Sequence, residues 1–301
     1  MKIIHRSILL CGIIIVSCVC TYGILSALSR PQTLHPFFQL ETIQAETNII
    51  ANKGGSDLWP ENTTFAFEQL AELGINAIRI DLRLSKDNRL VLIHDKTTDR
   101  TTNMKAIVNE LNLDELENLD AGHHWTNDNI TYTYRDIGIT IPTFTEVLTN
   151  FPNFQKYINL NDNNTLASEI LCMKINEHNA IHTVIVSSES SSIMQHFRNI
   201  CPAIATEADP NETRTFLILN TMFLSPIYTP NFHLIEIPEY LLGFRVITPY
   251  LIRSAELKGI RVHAINNSKT DNIAYLLEHG IHGIITNTPL EVIDIIKKTQ
   301  D

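Results

Sequence analysis

"NIIANKGGSDLWPENTTFAF", Asn48–Phe67, sets the reading of the whole chain. An apolar run, Asn48–Lys53, ends on the paired glycines Gly54 and Gly55. The sequence Pro60-Glu61-Asn62-Thr63 then offers a helix start, and a helix over 63–73 follows with Phe65, Phe67, Leu70 and Leu73 apolar. This is one strand–loop–helix unit. The same alternation recurs along the chain, with further strands expected at 77–83, 157–161, 182–187, 203–206, 233–237, 261–265 and 282–286. Helices fit between them, for example 271–279 with Ile273, Leu276 and Leu277 on one face. Eight such units in about 250 residues are the pattern of an α/β fold of the (β/α)8 TIM-barrel kind.

One excursion, from Ser85 to about Ile141, breaks that rhythm. "IDLRLSKDNRLVLIHD", 80–95, reads as two alternating strands around a two-residue Asp87-Asn88 turn, a hairpin inserted after the second strand. That turn would set His94 directly across from Asp81, with Arg79, Asp81 and Arg83 pointing one way. The following 97–125 reads as a loop and short helix capping the barrel mouth, where barrel chemistry sits.

The 301 residues are 44% hydrophobic and 19% charged, enough apolar material for a sizeable core, and the formal net charge is -10. Such an acidic chain is a poor nucleic-acid binder, so any phosphate recognised here is expected to be small and held locally. Before the domain, Ile8–Leu28 carries no formal charge and is long enough to span a hydrocarbon core. With Lys2 and Arg6 ahead of it, residues 1–7 form a cytoplasmic tail, 8–28 a transmembrane signal-anchor and 29–46 a linker, and the barrel at 47–301 lies on the non-cytoplasmic side. A lipoprotein lipidated at Cys18 and a cleaved, secreted chain are the alternatives. Cys172 and Cys201 are the only cysteines outside the apolar segment. They read as buried free thiols, although a translocated domain would permit a disulfide.

Five blocks, 54–74, 80–103, 113–122, 141–148 and 276–289, occur in an order and spacing that resembles the glycerophosphodiester phosphodiesterases, across most of 48–296. The resemblance implies a TIM barrel and metal-dependent hydrolysis of glycerophosphodiesters to glycerol 3-phosphate and an alcohol. It implies carboxylates holding Mg or Ca against the phosphate oxygens, and a pair of histidines as general acid and base.

Against that pattern the site positions of this chain are altered. The family's His-Arg-Gly is Asn52-Lys53-Gly54, and its Glu-x-Asp is Arg79-Ile80-Asp81. Its Glu-x-Lys is Asn161 and Asn163, its Trp-Thr is Ile265-Asn266, and the Asp after "IIT" is Asn287. His94 and Asp81 remain as residual catalytic candidates, and Lys53 and Arg79 are the candidate phosphate-binding cations. One Asp beside Arg79 sums to about zero charge, so no metal or other cofactor is expected; Mg or Ca would return only if activity is retained.

The expected protein is therefore a membrane-anchored phosphodiesterase-like barrel, catalytically inactive or impaired, that keeps phosphate-ester binding. The competing expectation is metal-independent hydrolysis through Arg79 and His94, since a guanidinium can hold phosphate oxygens in place of a cation. For Arg79 an internal salt bridge is an equal alternative to phosphate binding. His263 is the inward candidate for a second histidine, against a plain barrel-interior role, and His123 and His124 read as surface residues. The expected partners are the membrane and a small phosphate ester; the sequence does not specify a protein partner.

Overall fold

The computed structural model describes residues 12–13, 16–17, 20–24, 33–39, 47–266 and 272–300. Within them the expected alternation is present. Strands β1 (Asn48–Asn52), β2 (Ala77–Leu84), β4 (Gln155–Leu160), β5 (Val184–Ser187), β6 (Ala205–Thr206), β7 (Leu234–Pro238), β10 (Arg261–Asn266) and β11 (Gly283–Thr286) are joined edge to edge, all parallel. The seam between β6 and β7 is narrow. It is held by a parallel bridge, Glu207 to Leu234, and by His233 N–H donating to the Thr206 carbonyl at 2.8 Å. The result is a nearly closed eight-stranded barrel.

Most of the outer helices begin on a side-chain cap. Thr63 accepts from Ala66 N–H at the start of α1 (Thr64–Glu72), which buries Ala66, Phe67 and Leu70 against the barrel and leaves Leu73 exposed. After α2 (Leu113–Glu117) in the capping loop, α3 (Phe144–Asn150), α4 (Thr165–Glu177), α5 (Ser191–Ile200), α6 (Pro210–Thr221), α7 (Pro249–Glu256), α8 (Ile273–Glu278) and α9 (Pro289–Gln300) continue the outer layer. Asp209 and Thr143 form reciprocal capping boxes with Glu212 and Glu146.

The interior of the barrel is layered by strand parity. The lower layer is apolar: Ile50, Ala77, Tyr157, Ile185, Ala205, Leu234 and Ile285. Within the stretch expected to be a linker, Pro36–Phe38 forms a single 3-10 turn whose Phe37 and Phe38 are fully buried in this layer. Phe37 meets the Tyr157 ring edge-on at 5.4 Å, and its carbonyl accepts from Gln155 Nε2 at 3.2 Å. This plug closes the N-terminal end of the barrel and leaves the polar layer above it as the floor of the opposite mouth.

His263 belongs to this lower core. It is fully buried against Tyr157 and Phe38, and neither ring nitrogen has a hydrogen-bond partner, so burial keeps the imidazole well below its ordinary pKa and neutral. Gly283 on the neighbouring strand makes room, since a Cβ there would lie 2.7 Å from the His263 ring. The barrel-interior role holds, but without the hydrogen bonds such a role ordinarily brings.

Two further expectations change. The hairpin of β2 with β3 (Leu90–Leu92) pairs Leu82 with Leu92, one residue out of the register that a two-residue turn gives. The loop holds three residues, Lys86 to Asn88, because Asn88 takes a left-handed φ of 61° and Ser85 N–H bonds to the Arg89 carbonyl. Asp81 therefore faces Ile93, whose N–H donates to the Asp81 carbonyl at 3.1 Å, and not His94. Cys172 and Cys201 are joined as a disulfide between α4 and the end of α5, with Cα atoms 6.0 Å apart, and are not free thiols. The proposed membrane segment 8–28 lies largely outside the described residues; among these, no helix is long and apolar enough to cross a membrane.

His233 ties the plug to the seam. Its Nδ1 accepts from Thr206 N–H at 3.1 Å, its ring packs on His35 at 4.6 Å, and burial lowers its pKa to about 4. Between about pH 4 and the ordinary value of 6.5 the unfolded chain binds the proton that the fold refuses, so stability falls as pH drops through that window. The loss is up to about 2–3 kcal/mol after allowance for partial exposure. Urea titrations of the wild type should show it, and His233→Gln, which keeps an acceptor but cannot charge, should flatten the slope. An unchanged slope would remove His233 from the account.

Candidate functional site

The upper layer of the barrel is polar because the same parity that sends Ile50, Ala77 and Tyr157 inward below sends Asn52, Arg79, Asp81 and Asn159 inward above. Register sets the neighbours: Asn52 lies beside Arg79, Asp81 beside Asn159, and Asn159 beside Ser187. The β1 loop is fixed by backbone. Lys53 N–H donates to the Arg79 carbonyl at 2.8 Å, and Gly54 turns at φ 88°, where an added Cβ would sit 2.9 Å from Ala66 Cβ.

Asp81 is 3% exposed, and its carboxylate accepts from three side-chain amides. Asn62 Nδ2 donates to Oδ2 at 3.1 Å, while Asn159 Nδ2 at 3.1 Å and Asn161 Nδ2 at 3.3 Å donate to Oδ1. Asn62 also accepts from the Asp81 N–H at 3.1 Å. Asn161 is thus a donor to the Asp81 carboxylate. Asn163 is exposed. Asn52 donates to Asn287 Oδ1 at 2.8 Å, so the end of β1 and the turn after β11 hold one another.

Arg79 turns to the far side of the mouth. Its Nη1 is ion-paired with Glu236 Oε2 and lies 3.5 Å from Glu207 Oε2. The salt-bridge reading of Arg79 is the one observed, through carboxylates that sequence reasoning did not single out. Their signal was present only as inward parity, Glu236 in "HLIEI" and Glu207 just beyond β6. Burial raises the Glu207 pKa above the usual carboxylate range, with Arg79 opposing. Together these groups floor a cavity of about 460 Å³ that runs under α6 and the small hairpin β8 (Tyr240–Leu241) and β9 (Phe244–Arg245).

On the opposite rim, the remaining candidates form a chain of opposite charges. Lys53 Nζ is 3.5 Å from Glu61 Oε1, and Arg100 grips both Glu61 oxygens at 2.6 and 2.9 Å and also bonds Asp95 Oδ2. His94 Nδ1 contacts Asp95 Oδ1 at 2.7 Å. Burial works against ionisation of Asp95, yet the hydrogen bonds from His94 and Arg100 leave its pKa below the ordinary value. The His94 carbonyl, not its ring, meets the site, accepting from Arg83 Nε at 2.9 Å and Asn161 Nδ2 at 3.2 Å. His123 and His124 lie in the capping loop and pack on each other edge to face.

A hard dication does not fit the Asp81 position. Its oxygens are directed at three amide N–H groups, and the adjacent inward residue on β2 is a guanidinium. Among the described residues, the cluster of metal-capable side chains is elsewhere, Asp120, His123 and Asp136 in the capping loop. Two of the Asp120 oxygens' contacts there are already backbone N–H groups, of Gly122 at 3.0 Å and Asp136 at 2.9 Å.

The fold agrees with comparison to known proteins. Residues 53–291 match the glycerophosphoryl diester phosphodiesterase family, and the chain belongs to that family. A glycerophosphodiester phosphodiesterase of Caldanaerobacter subterraneus subsp. tengcongensis is 28% identical over 261 residues, 84% of this chain and 99% of that one. Another, from Bacillus altitudinis, is 28% identical over 264 residues, 83% of this chain and 98% of that one. Among solved structures, the glycerophosphoryl diester phosphodiesterase domain of a Mycobacterium tuberculosis protein aligns with TM-score 0.74 at 17% identity, over 83% of this chain and 99% of that one. An Oleispira antarctica phosphodiesterase, solved with its product sn-glycerol-3-phosphate, aligns with TM-score 0.62 at 20% identity, over 85% of this chain and 98% of that one.

The Arg79–Glu236 pair is testable by stability alone. Arg79→Met leaves a carboxylate buried without its cation and is expected to cost about 3–5 kcal/mol in urea titration, whereas Arg79→Met with Glu236→Gln should cost much less. Equal losses in the single and double variants would mean that the pair does not hold Arg79 in place.

Proposed function

We propose that this chain is a family member that does not hydrolyse phosphodiesters by the metal route and works as a ligand-binding barrel. The observation that carries this reading is the state of the β2 site residues. Asp81 is occupied by amides from Asn62, Asn159 and Asn161, and Arg79 is committed to Glu236 and Glu207. Metal-dependent cleavage needs a cation against the phosphate oxygens and a proton donor and acceptor on either side of the phosphorus. Asn52 cannot move a proton, and its amide is used by Asn287.

Metal-independent hydrolysis through Arg79 and His94, the competing reading, asks for a free guanidinium and an imidazole facing one phosphorus. The Arg79 partners and the His94–Asp95 contact favour binding over cleavage. Phosphate-ester binding, where retained, falls to Lys53 at the β1 loop, a charge it shares with Glu61.

For location, we propose a barrel anchored by residues 8–28 on the non-cytoplasmic face of a membrane. The uncharged length of that segment supports an anchor, and the Cys172–Cys201 bond supports an oxidising compartment.

The full chain in detergent, incubated with glycerophosphocholine or glycerophosphoethanolamine, with Mg, with Ca or with chelator, is expected to release no glycerol 3-phosphate. Release that disappears in His94→Ala would overturn the proposal, and release that also needs Arg79 without metal would establish the competing route.

A further inference from the structure

The cavity over β5, β6 and β7 can be taken further, resting on the reading of the barrel as a binder. We propose that it is a site for a protonated primary amine carrying a short apolar tail. Its volume of about 460 Å³ suits a small organic ligand. The floor is acidic and incompletely paired. Glu236 has a side chain 2% exposed; Oε2 is taken by Arg79, but Oε1 is buried and has no hydrogen-bond partner. An acceptor withdrawn from water without a donor is costly, and a ligand N–H would relieve it.

The charge count selects the sign of the ligand. Three carboxylates, Glu189, Glu207 and Glu236, line the cavity with two guanidinium groups, Arg79 and Arg214, which leaves one negative charge in excess. A phosphate at this place would put its oxygens against Glu207 and Glu236, whereas an ammonium supplies hydrogens to both. Burial raises the Glu207 pKa with Arg79 opposing, and a second cation beside it would act in the same sense as Arg79.

Above the floor the wall changes character. Leu217 from α6, Leu241 from β8, and Val246 and Ile265 give an apolar lane leading outward. No aromatic ring lines the cavity among the described residues, so the cage that suits a quaternary ammonium is missing, and hydrogen bonding by a primary ammonium carries the recognition.

The test is thermal unfolding of the full chain in detergent at neutral pH, titrated with hexylammonium chloride and, in parallel, with methylammonium, hexanol and hexyl phosphate. Hexylammonium should raise the Tm saturably and more than methylammonium, while hexanol and hexyl phosphate should not. Glu236→Gln and, separately, Glu207→Gln should each weaken the response by about tenfold, equivalent to about 1.4 kcal/mol. The second variant keeps Glu236 with its Arg79 partner and decides the matter if the first does not fold. Equal shifts from hexanol and hexylammonium, a shift from hexyl phosphate alone, or a response that survives both substitutions would each overturn the proposal. Hydrolysis of glycerophosphocholine is measured on the same preparation: turnover overturns the binding role of the barrel, whereas absent turnover with no amine response overturns this inference alone.

Discussion

The ion pair between Arg79 and Glu236 is the constraint around which the barrel mouth is arranged. A guanidinium on the second strand, beside the inward Asp81, needs a counter-charge that Asp81 does not supply. The structure finds it across the barrel on β7, with Glu207 on the adjoining seam. Buried pairs of this kind are weak sources of stability, but they are costly to break, so the pair fixes where Arg79 can point. Asp81, left without a cation, is instead stabilised by the amides of Asn62, Asn159 and Asn161. The guanidinium on one strand and the amides on its neighbour are therefore one arrangement.

That arrangement is possible because the layers beneath it are independent of the chemistry above. The plug of Phe37 and Phe38, the neutral His263 and the apolar ring of inward residues close the barrel from below. The β1 turn is held by Gly54 and backbone hydrogen bonds to β2 and Asn62, none of which involves a reactive side chain. A scaffold secured in this way does not depend on the residues at its mouth, so family membership of the fold does not by itself fix the activity. The rim from Lys53 through Glu61, Arg100 and Asp95 to His94 preserves charges of both signs, each neutralised by a neighbour.

Legibility in the sequence followed locality. The strands, the helix start at Thr63 and the inward parity of Arg79 and Asp81 were readable because helix starts and alternation are encoded within a few residues. The hairpin register was misread for an equally local reason, the left-handed Asn88, which lengthens the turn by one residue and moves His94 out of register with Asp81. The partners of Arg79 were not readable, since Glu207 and Glu236 lie 128 and 157 positions away in the chain and meet it only through barrel closure. Cys172 and Cys201 likewise show no pairing until α4 and α5 pack together. Pro36–Phe38 looked like linker because a three-residue turn has no periodicity to betray its burial.

The central claim is that a guanidinium, and not a divalent cation, sets the electrostatics of this mouth. Calorimetric titration of Ca²⁺ into the wild type and into a variant carrying Arg79→Glu and Asn161→Glu tests it most directly. The account predicts no Asp81-dependent binding in the wild type and one bound ion in the variant, where carboxylates again converge on Asp81. Stoichiometric binding of Ca²⁺ to the wild type, lost in Asp81→Asn, would contradict it.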